Sequence, residues 1–393
     1  MKIAITSVQE FNPQIGGIER VSVSLATELI RNSIEVIFIS RRKSIYSKSY
    51  ELPAKQYFLS EDKDYSESCI SEIIHIINKE KVDILLNQNS HSYLFNKECE
   101  QVKMRTGVKL ISAFHFCPDM RIRANRNLVD FFFFTFKENL VHIIKDICTR
   151  FPFHFITLYS HRKLYKHLYK ISDAVVLLSN KFNSSFCNIA GINNSNRITA
   201  INNMLSFQSS SKIEHKKKKK QILFCARLSP QKAPYRALYV WKKIYTKLPD
   251  WELVILGSGP FFDRLLISCQ RLNLPRVRFE GFKNPIKYYQ RASIFLMTSN
   301  YEGWGLSITE AMQYGCVPMA FRSYDSIDDI IDNGVNGFII EPFDINEMAN
   351  KVLEVANSSC IESISNAAYN KSLNFKPTEI SHQWIKLFNH IVS

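Results

Sequence analysis

A repeated alternation of short apolar runs with helical segments constrains the fold of this chain more than any other feature. In the first half, runs rich in β-branched residues have the composition of parallel strands that are buried on both faces. They occupy residues 2–8, 35–40, 83–88, 109–116 and 174–180. Between the first two, residues 18–31 carry apolar side chains at helical spacing. A strand, a helix and a second strand in this order predict a parallel β-α-β unit and an α/β fold.

The alternation is interrupted once and then restarts. Residues 203–220 are rich in serine and end in five consecutive lysines, a composition typical of a solvated connection. Strand-like runs resume at 221–228, 251–257, 277–282, 294–299, 317–321 and 337–341. We therefore predict two doubly wound Rossmann-like domains that face a cleft, with ligands at the carboxyl ends of the strands. The predicted bounds are 1–203 and 221–377, with a flexible linker at 204–220 and a helix at 378–391 that packs back on the first domain.

Size and composition narrow the class of protein. The 393 residues suffice for two domains of ordinary size, and 46% hydrophobic with 22% charged residues is typical of a soluble globular chain. No signal peptide is recognisable, and no apolar run approaches the roughly 18 residues of a membrane span, so we expect a cytoplasmic protein. The nine cysteines are scattered without Cys-x-x-Cys spacing, which argues against zinc, iron–sulfur and disulfide frameworks.

The net charge of +15 comes from one region. Residues 101–220 contain 21 Lys and Arg against 6 Asp and Glu, and the rest of the chain is balanced. Aromatic runs at 131–136 and 151–155 precede the basic run at 161–170. This mixture is typical of helices that lie on an anionic membrane surface, and it is equally typical of helices that pack in a core and expose a basic face. Both interpretations stay open.

The most informative short stretch is YEGWGLSITEAMQYG, residues 301–315. Glu302 and Glu310, with seven residues between them, flank a glycine-rich turn that leads from a strand into a helix beginning near Ser307. The N–H groups at a helix N-terminus bind phosphate, and glycines let a ligand approach the backbone closely. The alternative is a capping box, in which Glu310 only bonds back to the start of its own helix. Glu302 has no obvious capping partner.

Three other segments carry residues that suit a nucleotide diphosphate. Arg227 and Lys232 follow a strand in CARLSPQKAP, where two cations would hold a diphosphate; a solvated basic loop is the alternative. Gly16 and Gly17 lie between the first strand and the first helix, where they permit close approach of a phosphate or form a plain tight turn. His115 follows a strand in SAFHFCPDM, and a lone histidine is more often packed than catalytic.

Together these segments resemble a known family. The sequence is similar to the retaining nucleotide-sugar glycosyltransferases of the glycosyltransferase B fold, the bacterial glycosyl transferases group 1 that include many lipopolysaccharide and capsule enzymes. The matching segments are NPQIGGIERVSVSLATELIR, CARLSPQKAPYRAL, WELVILGSGP, VRFEGF, YYQRASIFLMTSNYEGWGLSITEAMQYGCVPMAF and NGVNGFIIEPFD. They cover most of the second predicted domain and the start of the first. Between about 40 and 200 the likeness is one of pattern.

The resemblance implies a role for each matching residue. Glu310 would hold the ribose hydroxyls of the donor and Glu302 the transferred sugar, while Arg227 and Lys232 neutralise the leaving diphosphate. Gly17 would complete the phosphate site, His115 would lie near the donor sugar, and the turn at Phe282 would meet the base. The implied catalytic residues are Glu302, His115, Arg227 and Lys232. The implied donor-binding residues are Gly16, Gly17, Arg227, Lys232, Phe282, Gly303, Trp304, Gly305, Leu306, Ser307 and Glu310.

The resemblance also implies a UDP- or GDP-linked sugar as donor, a saccharide or lipid-linked saccharide as acceptor, no cofactor, and retention at the anomeric carbon. In the family, glycines precede the arginine and follow the lysine, where this chain has Ala226 and Ala233. Asp62-Lys63-Asp64 has the spacing of a metal-binding Asp-x-Asp motif, but it lies in a polar run typical of a solvated loop. We therefore expect a metal-independent enzyme.

Two other classes of function compete. A dinucleotide-dependent oxidoreductase is suggested by Gly257-Ser258-Gly259 after a strand, although the third glycine and the acidic residue about 20 positions on are missing. A nucleic-acid-binding module is suggested by the basic region, but no recognition motif accompanies it. We expect no nucleic-acid partner, and peripheral contact with an anionic membrane at the inner face of the cytoplasmic membrane.

Overall fold

The fold is taken from a computed structural model of the whole chain. It describes residues 1–43, 50–62, 65–119, 133–135, 140–141, 144, 153–193, 195–206 and 213–393, with the side chains of 153–157 left out. The expected aromatic run at 131–136 is therefore described only at 133–135, and of the run at 151–155 only the backbone of 153–155 is described.

The first half forms a parallel sheet of seven strands. In chain order they are β1 (Lys2–Gln9), β2 (Glu35–Arg42), β3 (Gln56–Phe58), β4 (Ile84–Asn87), β5 (Lys109–Phe114), β6 (Ala174–Leu177) and β7 (Ile198–Ala200). Their order across the sheet is β3-β2-β1-β4-β5-β6-β7. The direction of winding reverses between β1 and β4, which are paired in register from Ile3 with Ile84 to Thr6 with Asn87.

The second half forms a parallel sheet of six strands. They are β8 (Lys219–Cys225), β9 (Glu252–Leu256), β10 (Val277–Gly281), β11 (Ala292–Met297), β12 (Val317–Phe321) and β13 (Phe338–Ile340), in the order β10-β9-β8-β11-β12-β13. Here the winding reverses between β8 and β11. Doubly wound sheets bind ligands at such reversal points, and the fold class expected from the sequence is confirmed.

Amphipathic helices alternate with these strands, as the sequence pattern predicts. In chain order the described helices are α1 (Gly17–Arg31), α2 (Glu67–Glu80), α3 (Tyr93–Thr106), α4 (Phe153–Ile171), α5 (Phe182–Ala190), α6 (Tyr235–Ile244), α7 (Phe262–Arg271), α8 (Ile286–Arg291), α9 (Leu306–Gln313), α10 (Ile327–Ile330), α11 (Ile345–Ala356), α12 (Ile361–Ser372) and α13 (Pro377–Val392). Short 3₁₀ turns lie at His215–Lys217 and Leu373–Phe375.

The chain divides into two compact units. Unit 1 contains residues 1–118, 154–206 and 375–393, and unit 2 contains 119–153 and 207–374. The segment 119–153, which the sequence places in the first domain, thus belongs to unit 2. There Phe133 is 7% exposed and stacks on Tyr235 with a centroid distance of 4.2 Å. The predicted domain bounds of 1–203 and 221–377 remain a prediction, with this segment as an exception.

The described parts of the predicted linker 204–220, residues 204–206 and 213–220, are more ordered than the composition suggests. Met204 and Leu205 are buried, and β8 begins inside the lysine run. Lys218 donates hydrogen bonds from Nζ to the carbonyls of Tyr289, at 3.0 Å, and Ala292, at 2.6 Å. Burial lowers the pKa of this lysine. At least one lysine of the run is thus a structural group, because its ammonium satisfies two backbone carbonyls.

Helix α13 packs against α1, and its side chains Ile380, Trp384 and Phe388 are buried. Pro377 stands at its first turn, where proline is favoured because no N–H is needed there. The end of the chain thus completes the core around its beginning.

Candidate active site

Two loops meet at the reversal point of the second sheet. One follows β8 and carries Arg227 and Lys232; the other follows β11 and carries Glu302. The Asn300 N–H donates to the carbonyl of Gln231 at 2.7 Å, and Gln231 Nε2 donates to the carbonyl of Tyr301 at 3.1 Å. Thr298 Oγ1 donates to the carbonyl of Ala233 at 2.9 Å. These bonds fix the two loops against each other.

The side chains of Lys232 and Glu302 form an ion pair between these loops. The Glu302 side chain is 7% exposed and that of Lys232 is 20% exposed. A carboxylate that is so deeply buried needs a partner, since an uncompensated buried charge costs several kcal/mol. In this structure Lys232 is that partner, and it stays accessible enough to meet a ligand.

The turn after Glu302 has a geometry that requires glycine. Gly305 is the N-cap of α9 and has φ of 94°, a left-handed conformation that side chains disfavour. A Cβ at this position would lie 2.9 Å from the Tyr324 hydroxyl oxygen. Ser326 Oγ donates to the Gly303 carbonyl at 2.9 Å, and Trp304 is 2% exposed. These contacts hold the turn that leads into α9.

Glu310 does not cap this helix. Helix α9 begins at Leu306 and its N-cap is Gly305 without a side-chain cap, so Glu310 lies beyond the first turn. The capping-box alternative is therefore wrong for this residue. Glu310 is 2% exposed, and its Oε2 accepts a hydrogen bond from the Tyr289 hydroxyl at 3.1 Å. Leu306 and Ser307 belong to the first turn, whose N–H groups have no acceptors within the helix.

The loop after β8 holds one residue in an unfavourable conformation. Ala233 has φ of 43° and is fully buried, and a side chain in the left-handed region costs roughly 1–2 kcal/mol. The resemblance noted in the sequence implies a glycine at this position, so the alanine has a structural consequence. Arg227 is exposed on the same loop and has no ion pair with any residue that the structure describes. Phe282, after β10, is 76% exposed.

In unit 1, two glycines stand at the start of α1. Gly16 is the N-cap with an extended backbone, and Gly17 is the first helical residue. A Cβ at Gly16 would collide with the Glu19 carboxylate, and burial raises the pKa of that carboxyl. The pair thus follows β1, at the reversal point of the first sheet.

His115 follows β5 and is bound to a residue that the sequence motifs did not identify. Its Nε2 is hydrogen-bonded to Oε1 of Gln88, which is 2% exposed and follows β4. Its Nδ1 has no partner among the described residues. Burial, with a smaller effect of His91, lowers the pKa of His115 to about 4. The ring is therefore neutral at pH 7. Nε2 donates its hydrogen to Oε1 of Gln88, which leaves Nδ1 as an acceptor.

A signal for Gln88 was present in the sequence. The run LLNQNS places amides and a hydroxyl directly after a buried strand, where polar side chains reach the ligand edge of a parallel sheet. Gln88 is held there by its N–H, which donates to the carbonyl of Thr6 on β1 at 2.9 Å.

The remaining sequence candidates have other environments. Asp62 pairs with Arg42, while Lys63 and Asp64 lie outside the described residues. Within the described part of the chain, no group of three His, Cys, Asp or Glu side chains is arranged to hold a metal ion, and no helix is long and apolar enough to cross a membrane.

Gly257 and Gly259 have φ of 144° and 149°, and a Cβ at either would collide with the backbone of the loop after β8. They serve internal packing.

Helix α4 separates apolar from basic residues. Tyr165 and Leu168 are buried, whereas Arg162, Lys163, Lys166 and Lys170 are exposed. We call these four exposed residues the α4 basic face. Next to it, Lys163 and Lys97 lie 5.0 and 5.3 Å from the centroid of the Tyr93 ring. The helix thus packs in a core and also presents a cationic surface with an aromatic neighbour.

Known proteins match all or part of this chain. An uncharacterized glycosyltransferase of Haemophilus influenzae is 26% identical over 347 residues, which are 85% of this chain and 84% of the relative. The Escherichia coli UDP-Gal:alpha-D-GlcNAc-diphosphoundecaprenol alpha-1,3-galactosyltransferase is 31% identical over 153 residues, 38% of this chain and 39% of the relative. The crystal structure of Anabaena HepE in complex with UDP and glucose superposes with a TM-score of 0.71 at 16% identity, covering 99% of this chain and 100% of that one.

Two family models divide the chain between them. The model described as Glycosyltransferase Family 4 matches residues 15–206, and the one described as Glycosyl transferases group 1 matches residues 206–372. The two sheets have the architecture of the glycosyltransferase B fold, as the superposition with HepE shows. The chain therefore belongs to the glycosyltransferases, with a Family 4 region followed by a group 1 region.

Proposed function

We propose that this enzyme transfers a sugar from a UDP- or GDP-linked donor, with retention at the anomeric carbon, to a saccharide or lipid-linked saccharide in the synthesis of lipopolysaccharide O-antigen or capsule. Unit 2 binds the donor and unit 1 the acceptor. The observation that carries the donor assignment is the meeting of Lys232, Glu302 and the glycine turn before α9 at one reversal point. Such points bind nucleotides in doubly wound folds.

The reaction demands stabilisation of a leaving diphosphate. As the bond to the anomeric carbon breaks, negative charge grows on a β-phosphate oxygen. Arg227, Lys232 and the first-turn N–H groups of Leu306 and Ser307 stabilise that charge, since preorganised cations and dipoles act where charge develops. Released from Lys232, the Glu302 carboxylate faces the transferred sugar, and Glu310 binds the ribose. No metal ion is needed for this scheme.

The resemblance also gives residues of unit 1 a part in donor binding, and we propose the same roles here. Gly16 and Gly17 let the diphosphate approach the start of α1, as glycine permits close contact with backbone N–H groups. His115 offers a neutral Nδ1 to a hydroxyl of the donor sugar. Phe282, exposed after β10, stacks on the base. Gly303, Trp304 and Gly305 shape the turn that holds the sugar.

The proposed class of acceptor is inferred from the positive charge of the α4 basic face. The α4 basic face suits an anionic membrane surface, which attracts basic residues by about 1 kcal/mol each. A lipid-linked acceptor would be presented at such a surface, and the E. coli relative is named for a diphosphoundecaprenol acceptor. Peripheral binding at the inner face of the cytoplasmic membrane follows from this proposal.

A donor screen tests the proposed function. Purified enzyme is incubated with UDP- and GDP-linked sugars and with membrane extract as acceptor source, and mass spectrometry detects the sugar adduct; NMR of the product reports the anomeric configuration. Arg227→Ala, in which transfer should be strongly impaired, serves as the control variant. Binding of NADH or an oligonucleotide in place of any nucleotide sugar would favour the competing functions, and loss of activity in EDTA with recovery in manganese would overturn metal independence.

A further inference from the structure

We propose that Tyr289 is a positioning residue that holds the Glu310 carboxylate in place for the nucleotide ribose. This inference rests on the proposed donor site, because Glu310 is placed there at the ribose. Tyr289 itself is not expected to touch the substrate.

The contact between the two side chains is buried and direct. The Tyr289 hydroxyl lies 3.1 Å from Oε2 of Glu310, and the two residues are 0% and 2% exposed. A hydrogen bond to a charged group is stronger than one between neutral groups. Two carboxylate oxygens accept about four hydrogen bonds, and the bond from Tyr289 uses one of these positions. The bond therefore orients the carboxylate without exhausting its capacity as an acceptor.

The phenol remains a donor because it does not ionise. Burial raises the pKa of Tyr289 well above its usual value, with Cys225 and Glu310 adding to the effect. The hydroxyl also lies 3.6 Å from Cys225 Sγ, at the carboxyl end of β8. Tyr289 thus connects the end of the strand that precedes Arg227 with the helix that carries Glu310.

Tyr289 is itself held from two sides. Its ring stacks on Tyr314 at a centroid distance of 6.0 Å. Its carbonyl accepts hydrogen bonds from Lys218 Nζ at 3.0 Å and from Cys316 Sγ at 3.1 Å. Because both its ring and its backbone are held, Tyr289 can position its hydroxyl to within about 0.5 Å. A binding site needs this precision.

Tyr289→Phe removes the hydroxyl and keeps the ring. Calorimetry with the nucleoside diphosphate that the wild type binds, UDP or GDP, should show affinity weakened about five- to twentyfold. Steady-state kinetics should place the loss in KM for the donor, with kcat changed less than threefold. Tyr239→Phe is the matched control: its half-buried hydroxyl bonds Arg271 elsewhere in unit 2, and its nucleotide affinity should equal that of the wild type.

A second nucleotide separates positioning from mere structural support. The 2′,3′-dideoxy analogue of the same diphosphate lacks the hydroxyls that Glu310 would bind. Wild type and Tyr289→Phe should bind this analogue equally, and the loss with the ordinary nucleotide should disappear in a Glu310→Ala background. Because both nucleotides are measured on the same Tyr289→Phe protein, a small loss of folded protein affects both values equally.

Two results overturn the inference. One is an equal loss of affinity for both nucleotides, which would make Tyr289 a structural residue only. The other is a Tyr289→Phe variant that binds the ordinary nucleotide as tightly as Tyr239→Phe. If the wild type binds neither UDP nor GDP, the proposed function fails instead, and the two failures are thereby distinguished.

Discussion

The Lys232 ammonium and the Glu302 carboxylate form an ion pair although 70 positions separate them in the chain. They are joined because β8 and β11 are neighbours at the reversal point of the second sheet. In the proposed donor site, a diphosphate would compete with Glu302 for Lys232.

The two glutamates should fail differently. Glu310→Ala removes a contact made in the ground state and the transition state alike, so nucleotide affinity should fall by about 1.5–3 kcal/mol. Glu302→Ala should lower kcat more than tenfold and change nucleotide affinity less, because its partner Lys232 stays in place. Calorimetry and steady-state kinetics on both variants check this. Equal, minor effects would argue against both assignments.

The two cations should differ in their effect on stability. Lys232→Ala leaves the buried Glu302 carboxylate without its partner and should reduce the free energy of unfolding by about 1–3 kcal/mol. Arg227→Ala changes an exposed side chain and should stay within about 0.5 kcal/mol of the wild type. Both should impair transfer strongly, since each stabilises the leaving diphosphate. Denaturant unfolding beside activity assays separates the two effects; similar unfolding curves would contradict the role of the ion pair.

Ala233 offers a test of backbone strain. Its φ of 43° costs roughly 1–2 kcal/mol for a side chain and nothing for glycine. Ala233→Gly should therefore leave the unfolding free energy unchanged or raised, even though it deletes a buried methyl group. Ala226→Gly, on the same loop but outside the positive-φ residues, should cost about 0.4–1 kcal/mol. Thermal and chemical unfolding of the pair would show equal losses if the strain were absent.

The lowered pKa of His115 predicts that the stability of the protein depends on pH. The pKa of His115 in the folded protein is lowered to about 4, chiefly by burial and then by His91, against about 6.5 in the unfolded chain. Between these values the unfolded state binds more protons, so stability falls as pH drops from 6.5 towards 4, by at most about 1.4 kcal/mol per pH unit. His115→Gln should flatten this part of the curve. An unchanged slope in the variant would show that other groups cause it.

The α4 basic face predicts salt-sensitive binding to anionic vesicles. Co-sedimentation should recover the wild type with anionic vesicles at low salt, release it at high salt, and leave it in solution with neutral lipid, because salt screens the attraction. Replacing Arg162, Lys163, Lys166 and Lys170 by glutamine should abolish binding and spare nucleotide affinity. The matched control replaces the exposed Lys216, Lys242, Lys243 and Lys247. Wild type that stays in solution at low salt would favour a soluble acceptor.

The sequence predicts most of the fold because buried parallel strands are continuous apolar runs. Eleven predicted runs correspond to strands, and the two that were not predicted, Gln56–Phe58 and Ile198–Ala200, are three residues long and lie at the edges of the first sheet. Their side chains are only partly buried, so they lack the apolar signature. Short edge strands are defined by their neighbours rather than by composition.

The site was predictable only in part. The positions of Lys232 and Glu302 after two strands follow from the pattern, but their ion pair depends on which strands are neighbours. The support of Glu310 by Tyr289 and of His115 by Gln88 depends on side-chain packing between elements distant in sequence, for which a single chain carries no periodic signal. Composition predicts a solvated linker at the lysine run. It does not reveal that two backbone carbonyls accept hydrogen bonds from Lys218.

The packing of α13 on α1 has a consequence for how the protein is made. Helix α1 packs against the helix that carries the buried side chains Trp384 and Phe388, yet the two helices, Gly17–Arg31 and Pro377–Val392, lie far apart in the chain. At about 5–20 residues per second, unit 1 waits tens of seconds for α13, and during that time the part of α1 that α13 contacts is uncovered. Residues 207–374 can meanwhile form their sheet without it. Unit 1 is therefore begun before unit 2 and completed after it.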